Sequence, residues 1–318
     1  MKTVVVGGGS WGSVFATLLA ERGHEVTLAC RDPVQVEAIA EVGRNPRYVQ
    51  NADLSAVSAA TIEEAPVAEA ELVCIAVPSG AFGDVARALP GEAPVLSLAK
   101  GLDPSTGQRL STSVPPRPVA VLSGPNHAEE IAAGLPAAAV IASEDEELAL
   151  RLQRELMSSR FRVYVNTDVV GVELCAATKN VIALAAGAVD GLEVGDNAKA
   201  AIITRGLAEM ARLGDAAGGR PETFSGLAGL GDLVVTCWSR HSRNRKAGEL
   251  IARGASPEEA LAEIAMAVEG LTTAPVLRDL AHQLGVELPI TEAVCQILGG
   301  ASLSELAAGL MGRRPTGE

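Results

Sequence analysis

The 318-residue chain sets 39 acidic against 26 basic side chains, a net charge of −13, and holds only two Trp, two Tyr and four Phe, so it offers no basic, aromatic surface for nucleic acid. Its five cysteines, Cys30, Cys74, Cys175, Cys237 and Cys295, are odd in number and lack metal-ligand spacing, which predicts reduced thiols, no bound metal and a cytoplasmic setting. The chain enters a strand pattern at once and no apolar run reaches membrane-spanning length, so neither a signal peptide nor membrane insertion is expected.

Lys2 to Val6 is a short β-branched run that meets Gly7-Gly8-Gly9-Ser10-Trp11-Gly12, and residues 14–22 follow with a helical pattern. Strand, glycine turn and helix in this order give G-x-G-x-x-G its meaning: a tight turn at Gly7, close backbone approach to a pyrophosphate at Gly9, and close helix packing at Gly12. Gly23 ends the helix, residues 24–30 form a second strand, and Arg31 and Asp32 stand about 20 residues beyond the motif, where a ribose is read. A flavodoxin-like glycine turn without a dinucleotide is the plainer alternative.

Further strands are expected at 71–77, 95–98 and 119–122, and the β/α alternation predicts a mainly parallel, doubly wound sheet. Polar segments follow three of these strands: Val77-Pro78-Ser79, Ala99-Lys100-Gly101 and Ser123-Gly124-Pro125-Asn126. Strand carboxyl ends are where such sheets bind ligands. Lys100 therefore points toward the crevice, unless it is simply solvated.

From residue 168 the pattern turns to Ala- and Leu-rich helices, at 168–190, 196–213, 246–253, 257–267, 273–284, 290–298 and 303–309. Ser256 with Glu259 and Ser302 with Glu305 both have capping-box spacing. The expected architecture is an α/β Rossmann-type domain over 1–167 and an all-α substrate-binding domain over 168–318. The first of these helices is apolar on nearly every face, with Lys179 its only cation. A lysine so placed either finds a partner and becomes a useful acid and base, with Asp232 the natural candidate, or snorkels its head to water.

Residues 225–245 read as a glycine-rich turn carrying one carboxylate, Asp232, followed by Arg240, Arg243, Arg245 and Lys246. Glycines allow close approach to a ligand and Arg243 can grip a phosphate bidentately. The alternative is a surface loop with solvated arginines.

Taken together, these motifs resemble the bacterial NAD(P)-dependent glycerol-3-phosphate dehydrogenases. The resemblance rests on Gly7-Gly-Gly-Ser-Trp-Gly12, Asn45-Pro-Arg-Tyr48, Leu98-Ala-Lys-Gly101, Ser123-Gly-Pro125, Ala177-Thr-Lys-Asn180, Gly195-Asp-Asn-Ala-Lys199, Gly229-Leu-Gly-Asp-Leu233, Ser242-Arg-Asn-Arg245 and Val268-Glu-Gly270. It implies hydride transfer from NADH or NADPH to dihydroxyacetone phosphate, giving sn-glycerol 3-phosphate for phospholipid synthesis, and a homodimer. It further implies Lys179 as proton donor and acceptor, with Lys100, Gly124, Asn126, Asp232, Ser242, Arg243 and Asn244 around the substrate. Cofactor contacts are implied for Ser10, Trp11, Arg31, Lys100, Ala128, Arg243, Ala267 and Glu269. Asn126 and His127 stand at positions that vary in the family, Ala267 replaces a larger aliphatic residue, and Val-Gln-Asn-Ala after Tyr48 replaces a proline-containing stretch.

Two other readings stay open. A reductase of the β-hydroxyacid dehydrogenase or ketopantoate reductase type shares the glycine motif and a helical lysine, but not this arginine cluster. A non-catalytic pyridine-nucleotide sensor would not need Lys100, Lys179 and Asp232 together.

Overall fold

In the computed structural model, residues 1–301 are described; the helix expected at 303–309 and the Ser302 box lie outside them. The chain runs β1 (Lys2–Val6), α1 (Ser10–Glu21), β2 (Glu25–Cys30), α2 (Pro33–Val42), β3 (Ser58–Thr61), β4 (Leu72–Ile75), α3 (Ser79–Ala88), β5 (Val95–Ser97), β6 (Val119–Ser123), α4 (Ala128–Ala132), β7 (Ala137–Ala142), α5 (Glu146–Leu156) and β8 (Phe161–Asn166). Helices follow: α6 (Val169–Gly191), α7 (Asp196–Ala216), α8 (Pro221–Ser225), α9 (Asp232–Trp238), α10 (Arg243–Ala252), α11 (Pro257–Ile264), α12 (Glu269–Leu284) and α13 (Pro289–Leu298).

The eight strands form one sheet in the order β3-β2-β1-β4-β5-β6-β7-β8. The first six are mutually parallel, and β7 joins antiparallel to β6 with Leu122 opposite Ile141. Strand order reverses direction at β1, whose Val4 pairs Thr27 of β2 on one side and Val73 of β4 on the other. The crevice outside the carboxyl ends at that switch point is where an open α/β sheet receives a ligand. Apolar residues such as Val5, Leu28, Cys74 and Leu96 are fully buried, as a sheet covered on both faces demands.

The sequence reading omits β3, β7 and β8 and the helices α2 to α5. Ser58–Thr61 and Ala137–Ala142 are built of small residues with weak patterning, whereas β8 alternates inward Phe161 and Val163 with outward Arg162 and Tyr164 and was legible.

Helix α6 lies at the centre of the helical half, packed against α7, α9, α10 and α12. Its length and hydropathy match those of a membrane span, contrary to the expectation that no run is that long, but 89% of its most apolar 18-residue window is buried inside the protein. Its contact with α10 is backbone on backbone: a Cβ on Gly187 would lie 1.9 Å from the Arg245 carbonyl oxygen, and one on Gly248 2.0 Å from that of Leu184. The glycines thereby fix α10, which carries Arg243, against α6, which carries Lys179.

Helix boundaries depart from expectation in two places that matter. The segment read as a glycine-rich turn is a π-helical turn, Leu227–Gly231, running directly into α9. Helices α10 and α12 begin at Arg243 and Glu269, three and four residues before the expected starts, so both residues sit on first helical turns.

Candidate active site

A cleft of about 580 Å³ runs along the carboxyl ends of β1, β4, β5 and β6 and onto α6, α9 and α10. Gly7, Gly9, Ser10, Trp11, Arg31, Lys100, Asn126, Ala128, Lys179, Asp232, Ser242, Arg243, Asn244, Ala267 and Glu269 all line it. Gly12 and Gly124 do not; they lie one layer beneath.

Gly7 has a φ of 119°, and a Cβ on Gly12 would meet the Gly7 carbonyl oxygen at 1.9 Å, so β1 and α1 approach as only glycine permits. Among the described residues no side chain caps α1, and its first turn lines the cleft. A Cβ on Gly9 would meet nothing within 4 Å. The loop is braced from behind, where Asn45 Nδ2 donates to the Gly8 carbonyl at 2.9 Å and to Ser13 Oγ at 2.8 Å. An open helix N-terminus over a glycine cradle suits a pyrophosphate. Farther out, Asp32 Oδ1 accepts from Val34 N at 3.0 Å and so caps α2, while the Arg31 guanidinium has no hydrogen bond or ion pair among the described residues.

The other end of the cleft is organised by one buried carboxylate. Asp232, on the first turn of α9, faces Lys100 Nζ at 2.9 Å through Oδ2 and Lys179 Nζ at 3.2 Å through Oδ1. Burial pushes the Asp232 carboxyl up, but the two ammonium groups outweigh it and hold it below the usual carboxylate range. Burial lowers Lys179 to about 8, with Asp232 opposing that shift and Lys100 adding to it.

The two lysines differ in what they have left to give. Lys100 Nζ donates to Asp232, to Asn126 Oδ1 at 2.9 Å and to the Gly124 carbonyl at 3.1 Å, which uses all three of its donors. Lys179 Nζ donates to Thr236 Oγ1 at 2.9 Å and faces Asp232, leaving one N–H unassigned. Thr236 in turn donates to the Asp232 carbonyl at 2.6 Å, one helical turn back.

Of the four cations after Asp232, Arg243 is the one that lines the cleft; Arg240 lies outside it. Arg245 pairs with Asp190 at 2.6 Å and Glu249 at 3.2 Å, and Lys246 faces Glu263 at 3.7 Å. Arg243 lines the cleft without an ion pair or hydrogen bond among the described residues. Ser242 caps α10 by accepting from Arg245 N at 3.2 Å. Asn244 is largely consumed internally, donating to Asn180 Oδ1 at 3.0 Å and accepting from Gly270 N at 2.8 Å. Glu269 accepts from Ser79 N at 3.3 Å and from its hydroxyl; burial raises its carboxyl above the usual range against those bonds.

Family models described as NAD-dependent glycerol-3-phosphate dehydrogenase N-terminus and C-terminus match residues 2–149 and 168–307. The chain belongs to the NAD-dependent glycerol-3-phosphate dehydrogenase family. A glycerol-3-phosphate dehydrogenase [NAD(P)+] of Moorella thermoacetica is 46% identical, over 99% of this chain and 96% of its own. One from Chlorobium limicola is 44% identical, over 100% and 99%. The crystal structure of glycerol-3-phosphate dehydrogenase from Coxiella burnetii superposes with a TM-score of 0.93 at 37% identity, covering 98% of this chain and 99% of that one. A ketopantoate reductase from Ralstonia eutropha, 20% identical with a TM-score of 0.63, shares the fold alone. The ketopantoate-reductase alternative is thus not favoured.

The sequence reading gave no individual role to Thr236, Asn180, Ser79, His127 or His241, all polar and all at or beside the cleft. Thr236 was legible in principle: it follows Asp232 by four residues, the spacing that aligns side chains on one helix face, but only if the segment is read as helix.

Proposed function

We propose that this cleft interconverts dihydroxyacetone phosphate and sn-glycerol 3-phosphate with NADH or NADPH as the hydride source, feeding glycerophospholipid synthesis. The observation that carries the assignment of roles is the unequal occupancy of the two lysines around Asp232. Lys179, with one N–H unassigned and a proton affinity brought down to about 8, is suited to give a proton to the C2 oxygen in reduction and to take it back in oxidation. Lys100, with every donor engaged, holds Asp232 and Asn126 in place and contributes positive charge beside the developing alkoxide. Asp232 and Thr236 aim the Lys179 ammonium.

The dinucleotide would rest on Gly7, Gly9, Ser10, Trp11 and the start of α1, with Gly12 setting the approach of strand and helix, and Arg31 toward the adenosine ribose. Ala128, Ala267 and Glu269 line its path. A reduced nicotinamide held there supplies hydride to C2. Arg243 grips the substrate phosphate, assisted by the Ser242 hydroxyl and the remaining Asn244 N–H, so that binding far from C2 fixes the carbonyl beside Lys179. Gly124 acts from below through its carbonyl bond to Lys100.

We further propose that residues 1–167 and 168–318 act as two domains closing over the ligands, and that the protein is a cytoplasmic homodimer, as its family resemblance implies. Light scattering on the purified protein tests the dimer. The function itself is tested by mixing the protein with dihydroxyacetone phosphate and NADH or NADPH. Loss of cofactor absorbance with formation of sn-glycerol 3-phosphate is expected, and its absence refutes the reading.

A further inference from the structure

Three residues that line the cleft carry a buried nitrogen with no hydrogen-bond partner among the described residues: Trp11, at the proposed cofactor end, and Asn126 and His127, whose nitrogens the scheme above leaves unused. Asn126 Nδ2 and His127 Nε2, on adjacent residues between β6 and α4, are both buried without a hydrogen bond. Asn126 is 7% exposed, and its Oδ1 is pinned by Lys100 Nζ, which leaves Nδ2 facing away from that lysine. Leaving such atoms unsatisfied carries their full desolvation penalty, so they point to a group that the ligand brings.

The proposed substrate has three polar regions. The phosphate has Arg243 and the C2 oxygen has Lys179, which leaves the C1 hydroxyl. A hydroxyl accepts one hydrogen bond and donates one, the complement of an amide N–H beside an imidazole lone pair. We propose that His127 is a specificity-determining residue for the C1 hydroxymethyl end, its Nε2 accepting from the substrate hydroxyl while Asn126 Nδ2 donates to it. The inference rests on the function proposed above.

The imidazole must be neutral to accept. Burial holds it so, and the Lys179 and Lys100 ammonium groups reinforce that against Asp232 and Glu129. The His241 ring lies 6.2 Å away between centroids, tilted by 54°.

The test compares kcat/KM for dihydroxyacetone phosphate with that for hydroxyacetone phosphate, which lacks the C1 hydroxyl, in wild type, His127→Phe and His127→Gln. NADH binding, followed by fluorescence, reports whether each variant is folded, and calorimetry with sn-glycerol 3-phosphate gives a readout independent of turnover. The expected result is a loss of roughly 10- to 100-fold on dihydroxyacetone phosphate in His127→Phe, with hydroxyacetone phosphate little changed and NADH affinity retained. Sn-glycerol 3-phosphate should bind more weakly by a similar factor. His127→Gln, which keeps an acceptor, should recover part of the preference. A substrate ratio in a folded His127→Phe variant equal to that of wild type overturns the assignment alone. Failure of the wild type to reduce dihydroxyacetone phosphate overturns the proposed function and this inference with it.

Discussion

Replacing Asp232 by Asn removes the single negative charge between two ammonium groups while keeping the side chain's shape. Unit charges 3.2 Å apart, as Asp232 Oδ1 and Lys179 Nζ are, interact by about 5 kcal/mol at the effective dielectric of roughly 20 that suits protein interiors. With about 1.4 kcal/mol per pH unit, that is an upper limit of three to four units on the proton affinity of Lys179. Water entry and the retained Thr236 bond reduce it, and a downward shift of about two units is expected. The sign is unambiguous: without the anion, both burial and Lys100 press Lys179 toward its neutral form. With Lys179 as the proposed proton donor, reduction needs it protonated, so the wild-type rate should fall as pH rises through about 8. In Asp232→Asn that limb should move to about pH 6, so that at pH 7.5 reduction is slow even before any loss of positioning is counted. The assay is kcat/KM for dihydroxyacetone phosphate at saturating NADH across pH 5.5 to 9.5, roughly the range over which such a lysine titrates, with circular dichroism confirming the fold. A folded variant whose limb stays near the wild-type pH would refute the claim that Asp232 sets the proton affinity of Lys179.

Lys179→Met should fold, since a near-isosteric apolar chain suits the centre of α6, yet turnover should drop by about 10²- to 10⁴-fold; near-normal turnover would reduce Lys179 to a packing residue. Arg243→Ala should raise the KM for dihydroxyacetone phosphate by about 10- to 100-fold with NADH affinity less affected, because an unpaired guanidinium is lost and the proton donor stays; an unchanged KM speaks against a phosphate grip. Arg31→Ala should lower the ratio of NADPH to NADH efficiency, because the free guanidinium is the group able to meet a 2′-phosphate while Asp32 is occupied capping α2; a constant ratio would remove Arg31 from cofactor choice. In Gly12→Ala the new Cβ would sit 1.9 Å from the Gly7 carbonyl oxygen, so a lower melting temperature and weakened NADH binding are expected, and titration that matched wild type would show that the turn can give way.

The dinucleotide half was legible because its signals are local. A β-branched run, three glycines at fixed spacing and a following helix are all contained in residues 2–22, and the geometry they demand is satisfied by neighbours along the chain. Lys179 was legible for a related reason: a lone cation in an apolar helix announces its burial in the sequence itself. Arg245 illustrates the limit. It stands two residues from Arg243 in the same basic run, and only the placement of α10 against α6 delivers it to Asp190 and leaves Arg243 free.

The Lys100–Asp232–Lys179 cluster is made of residues that have no sequence relation to one another. Lys100 and Asp232 are 132 positions apart and meet because β5 ends at the crevice while α9 packs on α6. That packing also made a helix of a segment whose glycines read locally as a turn. Gly229 is needed there because a Cβ would meet the Phe224 carbonyl oxygen at 2.1 Å, a close-packing requirement rather than a turn signal. Short stretches of sequence thus set the β1–α1 glycine turn, the strands β2, β4, β5 and β6 and the apolar helix that carries Lys179, through periodicity and backbone sterics. Which lysine keeps an unassigned N–H, which arginine of the basic run faces the cleft and which buried nitrogens lack a partner were decided only by tertiary packing, because each depends on groups brought together from distant parts of the chain.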